Sequence, residues 1–401
     1  MADTLSPEDE KKTQALLDET RLADGLAPVD LERFWAEQEV ALADPFGRDI
    51  PQVPLGAICN WECVFAELGL PQDWKRYRED PEWRLSLNRA YNDKAERTVG
   101  RRLLDESPPK PPGDAYPPIR ELHDVFDMEQ RWDEVAQTFY LLPAAQNADE
   151  LRALLDRVER RLEHPRGFFL PPGWDEAKAR LPAKGIRPRL YRHQRGPVTF
   201  ATSMLGVEGL VFLLADDPAL GDRLRDAILR AMLAKIRIHH EEAGYTPEDA
   251  PRGFSFADDN CAMLTPAMYE RFGYPILKGV WDVHSPGPGD SRFQHSDSAM
   301  GHLLPVLGRL GLTGTNFGPT VMVRDIRTHC PRAVIYGELA PFTFSRDEKD
   351  NIVREFLRDF SQARESRGLV FATAGSINNG SRLTGMRLIM AAIQRHGRYD
   401  A

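Results

Sequence analysis

Hydrophobic and polar positions alternate between two rhythms along this chain. From Gly196 onward, short apolar runs bounded by turn residues alternate with longer stretches in which apolar residues recur every three or four positions, the pattern of strands followed by helices. GPVTFATSML reads as a strand and PALGDRLRDAILRAMLAKIRIHHEEAG as a long helix. GFSFADDNCA is a strand with its end, followed by the helix TPAMYERFGYPILKGVWDVH. SRFQHSD ends a strand, SAMGHLLPVLGRLG is a helix, LTGTNFGP a strand end and VMVRDIRTHC a helix. RAVIYGELAP and GLVFATAGS are strands, each followed by a helix, RDEKDNIVREFLRDFSQARES and RLTGMRLIMAAIQRHG. About five such units in roughly 200 residues, with room upstream for the rest, predict an α/β chain that closes as a (β/α)8 barrel.

Upstream the pattern is looser. The first ~30 residues read as a solvated helix with a role in packing or oligomer contact, and the expected division is an N-terminal helical extension over 1–45 and a barrel over 46–401. PQVPLGAICNWECVFAELGL, from Pro51, reads as a strand leading into a helix. ADELRALLDRVERRLEH is an amphipathic helix, flanked by proline-rich loops at Ser107–Pro118 and Phe168–Trp174 where helices cannot continue.

Composition narrows the classes. The chain has 401 residues, 42% hydrophobic and 28% charged, enough for a large core. Its net charge is −9, with lysine and arginine scattered through acidic helices, so nucleic acid is not an expected partner. No apolar run has the length of a membrane span and the first residues are polar and acidic; a cytoplasmic protein is expected. Four cysteines do not make a disulfide framework. The Cys59-x-x-x-Cys63 spacing could serve a metal on a helix face, but the expected role is two buried small side chains.

In a barrel the reactive groups sit at the C-terminal ends of strands. Those ends carry Asp258, Asp259 and Asn260; His295, Ser296 and Asp297; Asn316; Glu338; and Ser376, Asn378 and Asn379. His295-Ser296-Asp297, within RFQHSDSAMGHLLPVL, is open to three readings: two metal ligands, a proton-transfer pair, or residues capping the next helix. Asp258 and Asp259 have the same capping alternative. Carboxylates repeated at successive strand ends point to a metal, a cationic substrate group or a raised pKa. The run His239-His240-Glu241-Glu242 falls at a helix C-terminus, on the opposite face, and is expected to be solvated; His284, His302 and His329 carry no signal of their own.

These segments resemble the uroporphyrinogen decarboxylase superfamily, which includes the decarboxylase of haem synthesis and zinc-dependent methyltransferases that move methyl groups between corrinoid proteins and thiols. The resemblance is carried by GPVTFATSMLGVEGLVFLLADDP, FADDNCAMLTPAMYERFGYPILKGV, QHSDSAMGHLLPVLGRLGLTG, VIYGELAP and FATAGSINNGS, and more weakly by 51–69. It implies the barrel independently of periodicity. In the methyltransferase branch a His-x-Cys and a later cysteine turn hold zinc; here those places read His295-Ser296-Asp297 and Ala374-Gly375-Ser376. In the decarboxylase branch an arginine-rich N-terminal segment binds the substrate carboxylates; here it reads Val53 to Ile58, without arginine, and the late turn lacks histidine.

The resemblance therefore implies an enzyme nearer the methyltransferase-like branch, performing metal-assisted methyl transfer on a small substrate. His295, Asp297 and Glu338 are the expected ligands of a divalent metal, zinc or similar. Asp259, Glu338 and Asp297 are the expected catalytic groups, and Asp258, Asn260, Asn316, Ser376 and Asn378 the substrate-binding ones. A corrinoid protein is the implied methyl donor and a homodimer the implied assembly. Two alternatives stand beside this: a metal-independent decarboxylase or lyase on a non-porphyrin substrate, and a non-catalytic barrel that binds a corrinoid or protein partner.

Overall fold

A computed structural model of the chain describes residues 5–108, 115–133 and 138–399. The middle of the proline-rich loop expected at Ser107–Pro118 lies outside the described residues, as do the first four residues of the expected extension. The chain forms two compact units: one gathers 5–108, 299–301 and 314–399, the other 115–133, 138–298 and 302–313.

The first unit opens with two helices, Pro7–Leu22 and Leu31–Ala43. Ser6 and Asp30 cap them through side-chain oxygens that accept from free first-turn amides, and acidic residues crowd the first turn of the former. Glu10 pairs with Arg354 and Glu19 with Arg395, fastening the first helix along Lys349–Ala363 and Leu383–His396. Three parallel strands follow, Gly314–Phe317, Val334–Leu339 and Leu369–Thr373, the last with every residue buried.

The strand expected after Pro51 is reduced to two isolated bridges, Gln52 with Arg398 and Leu55 with Phe371. Pro51 and Pro54 have no amide to give to a ladder. The segment is held instead by the Gln38 side chain, which donates to Leu55 O and accepts from Leu55 N, both at 2.8 Å. Cys59 and Cys63 are buried, and the thiol of Cys59 is pushed up, first by its hydrogen bond with Cys63 and then by burial.

The second unit carries an antiparallel pair of strands, Gln130–Asp133 and Thr138–Leu141, and three parallel strands, His193–Arg195, Phe254–Ala257 and Arg292–Ser296. Its long helices are Ala148–Glu163, Pro218–Glu242 and Pro266–His284. Phe254 and Phe256 face the last of these, where Trp281 donates from Nε1 to Phe254 O at 2.9 Å and packs edge-on to Phe256. Ser255, Ala257 and His295 therefore point to the other side of the strands.

Three further expectations need correction. GPVTFATSML is a helix, Pro197–Leu205, not a strand. Its residues are buried nearly all round, which erases the helical period from the sequence, while Pro197 fits the first helical position. SAMGHLLPVLGRLG forms only short turns around Leu304–Leu307, because Pro305, Gly308 and Gly311 interrupt it. The end of the 218–242 helix is not solvated: His239, His240 and Glu242 are buried. Glu242 accepts from Trp174 and Lys178 at 2.8 Å and from Arg166 at 3.0 Å. Burial alone would raise its pKa, but these donors outweigh it and hold the carboxyl low.

Gly196, just before the 197–205 helix, is required by close approach: a Cβ there would stand 2.1 Å from Asp258 Cβ. Gly196→Ala should therefore destabilise the protein by about 3 kcal/mol. The measurement is chemical denaturation, with a lowered midpoint at unchanged slope expected.

Candidate functional site

Asp258 and Asp259 leave the end of the same strand in opposite senses. Asp258 is fully buried, and its carboxylate accepts from the amides of Thr199 at 2.7 Å and Val198 at 3.5 Å. These are free donors in the first turn of the 197–205 helix, so Asp258 caps a helix distant in sequence. The expectation that it contacts substrate is corrected: its oxygens are occupied beneath the surface. Its pKa is pushed up to about 6 because burial outweighs those amides.

Asp259 begins a 3-10 turn and turns outward, its Oδ1 accepting from the Asp297 amide at 2.8 Å. His295, in register with Ala257, reaches the same place: Nε2 lies 3.0 Å from Asp297 Oδ1 and 3.8 Å from Asp259 Oδ1. Of the three readings of His-x-Asp, the geometry sets helix capping aside, since the Asp297 carboxylate engages the imidazole. One ligand atom from each of Asp259, His295 and Asp297 lies within 4.8 Å of the others. Nitrogen and oxygen ligands sit about 2.0–2.2 Å from a zinc ion, so neighbouring ligand atoms stand roughly 3–4 Å apart. Separations of 3.0 and 3.8 Å from the imidazole to the two carboxylates suit a cation without rearrangement of the backbone. Asn260 supports the turn, with its amide donating to Thr199 Oγ1 at 2.9 Å and its side chain to Thr202 Oγ1 at 2.6 Å.

Two residues on this face escaped the sequence reading. Arg195 pairs in register with Ala257, which pairs with His295, so the three share one row across three strands. Its guanidinium donates to Ser203 Oγ at 3.0 Å. His193 lies 2.9 Å from Ser255 Oγ, and its pKa is lowered by burial and by His295. They were missed because their strand is only three residues long and lacks an apolar run.

In the other unit Glu338 is fully buried, and neither carboxylate oxygen has a hydrogen-bond partner among the described residues. Burial, reinforced by Asp359 and offset by Arg358, pushes its pKa well above the usual range. Asp359 itself accepts from the Glu338 amide at 3.3 Å and pairs with Arg358 at 2.7 Å. The sequence held a signal for Asp359: a charge in helical step with Phe356, Phe360 and Ile352 on a buried stripe. Asn316 donates from Nδ2 to the carbonyls of Tyr336 and Thr373, bridging two strands. Ser376 is exposed and Asn378 half-buried, in the turn after the last strand.

The strands that present these groups lie within residues 192–396, which match the family model for uroporphyrinogen decarboxylase. The chain belongs to the uroporphyrinogen decarboxylase family. Membership carries the family's α/β fold, the (β/α)8 barrel, with helices preceding it here. Among solved structures the family fold is matched by a methyltransferase from Methanosarcina mazei, at 16% identity and a TM-score of 0.51, covering 88% of this chain and 96% of that one. No curated protein matches by sequence. No single helix among the described residues is long and apolar enough to cross a membrane.

The raised pKa of Asp258 has a measurable consequence. Between the unfolded value near 4 and the folded value of about 6, the folded state keeps a proton that the unfolded state has lost, so stability falls as pH rises. Across that window wild type should lose roughly 2–3 kcal/mol relative to Asp258→Asn. Denaturation of both proteins at pH 4, 5, 6 and 7 measures it; parallel curves would refute it.

Proposed function

We propose that this member of the uroporphyrinogen decarboxylase family is a metal-assisted methyltransferase acting on a small substrate. The observation that carries the reading is the convergence of Asp259, His295 and Asp297. These three residues would hold a divalent cation, and such an ion supplies Lewis-acid stabilisation of an anionic nucleophile. One imidazole and two carboxylates form a harder donor set than one containing thiolates, suiting zinc or a metal of harder preference such as manganese.

The chain's own groups prepare the site. The Asp259 carboxylate fixes the Asp297 backbone, and Asp297 orients the imidazole of His295. Asn260 steadies the turn, and Arg195, on the same face, offers a cation to an anionic part of a substrate. A corrinoid protein is the methyl donor in this reading.

A second reading rests on Glu338, whose buried carboxyl has no partner among the described residues. Burial favours its neutral form, in which it can donate a proton to a carbanion-like carbon, as a metal-independent decarboxylase or lyase requires. That role replaces the expected one of metal ligand, for which a protonated carboxyl is poorly suited.

The readings separate in one set of measurements. Purified protein should bind one divalent ion per chain, and His295→Ala and Asp297→Ala should each weaken binding at least tenfold by calorimetry. Turnover of free methylcob(III)alamin with a panel of thiols, followed by the cobalt spectrum, should stop on chelation and return with added metal. If no ion binds and His295→Ala changes nothing, metal-assisted transfer is wrong. Chelator-insensitive turnover of a carboxylate substrate, abolished by Glu338→Gln, would establish the second reading instead.

A further inference from the structure

The strand Phe254–Ala257 has chemistry at both ends. At its start, five residues and on the order of 17 Å before Asp259, the second unit has a half-open cavity of about 570 Å³. Leu162, Leu233, Ala234, Pro247 and Val283 give it apolar walls. This volume lies within the roughly 300–1,000 Å³ of small-molecule sites. Two histidines line it, His240 from the run that looked solvated and His284 from the end of the 266–284 helix.

Both are more than nine-tenths buried, at 7% and 9% exposure. Their rings stand edge to face, with centroids 5.4 Å apart. Neither ring has a hydrogen-bond partner among the described residues, although a buried imidazole ordinarily has one. The backbone nearby is fixed: Gly253 N donates to His284 O at 2.8 Å, and Arg252 donates to Val283 O at 3.3 Å and Pro247 O at 2.9 Å. The pair is thus a built feature of the cavity wall with unused polar atoms.

Charge selects the ligand. Besides each other, the groups bearing on the two rings are Arg252, which acts on both, and Arg192, which acts on His240; with burial they lower both histidine pKa values, that of His284 to about 4. Arg230 and Arg237 also line the cavity; Glu163 and Glu241 are its carboxylates, the latter 3.8 Å from Arg237. A cationic head group would meet guanidinium charge beside neutral imidazoles. An anionic one would accept from imidazole N–H groups in a positive field.

We propose that this cavity binds a small organic acid with an apolar body, its carboxylate between His240, His284 and Arg252 and its hydrocarbon part against Leu233, Ala234 and Val283. The site is separate from Asp259, His295 and Asp297, and does not depend on the reaction they perform.

The test uses the full chain with histidines labelled in the ring, and decanoate, decylamine and acetate as probes. Decanoate should move the His240 and His284 ring signals saturably and raise the pH at which His284 titrates by about one unit or more. Decylamine and acetate should leave them in place. Ala234→Trp, which fills the cavity, and Val283→Glu, at a half-exposed position that tolerates polarity, should each weaken decanoate at least tenfold without altering metal binding at His295. Unmoved ring signals at millimolar decanoate, equal binding of decylamine, or parental affinity in both folded variants would each overturn the proposal.

Discussion

The contact on which the candidate site depends is made by a residue outside it. Asp258 lies against Gly196, where a side chain would stand, and its carboxylate takes the free amides at the start of the 197–205 helix. A buried carboxylate without partners is costly, as are helix-end amides without acceptors, and here each satisfies the other. The strand end is thereby fixed in position and direction, so the next residue must turn outward. Asp259 reaches the Asp297 amide from there, and His295 completes the group.

Burial then divides the acids by chemistry. Asp258 and Glu338 are both fully enclosed, and each is pushed toward its neutral form, Asp258 less because two amides favour its charge. Asp259 and Asp297 keep about half of their side-chain surface open, at 43% and 51%, where a cation can reach them. Four acids that look alike as strand-end residues thus separate into a cap, a desolvated carboxyl and two open carboxylates. One-letter text cannot make that separation, because desolvation depends on what the rest of the chain places above each oxygen.

What was legible follows from the same logic. The strand–helix rhythm survives where one face of each element stays polar, as in Lys349–Ala363, and three of the residues read at strand ends, His295, Asp297 and Asp259, have ligand atoms within 4.8 Å of one another, while Glu338, expected to join them as a ligand, is buried in the other unit. It failed where burial removed polarity from both faces, as in Pro197–Leu205, and where proline and glycine cut a helical pattern short after Met300. Arg195 was invisible because a three-residue strand has no period to read. The charged run ending the 218–242 helix misled for a different reason. Trp174, Lys178 and Arg166, from 64 to 76 positions away in sequence, converge to satisfy Glu242 inside the protein.

The departure from the thiolate pattern that the resemblance to the methyltransferase branch implies can be weighed by charge and softness separately. A neutral imidazole with two thiolates carries two negative charges, and so does a neutral imidazole with two carboxylates. Asp297 stands at the first cysteine's place, while Ser376 leaves the second place uncharged, and Asp259 can restore the missing charge from a neighbouring strand end. In the proposed site the electrostatic attraction for a divalent cation would therefore equal that of the thiolate set, without the polarisable sulfur. Oxygen ligands donate less electron density to the ion than sulfur does, leaving it the stronger Lewis acid. In the proposed reaction that shift favours activating a hard or borderline nucleophile, and it is the reason to include oxygen acceptors beside thiols when the substrate is sought.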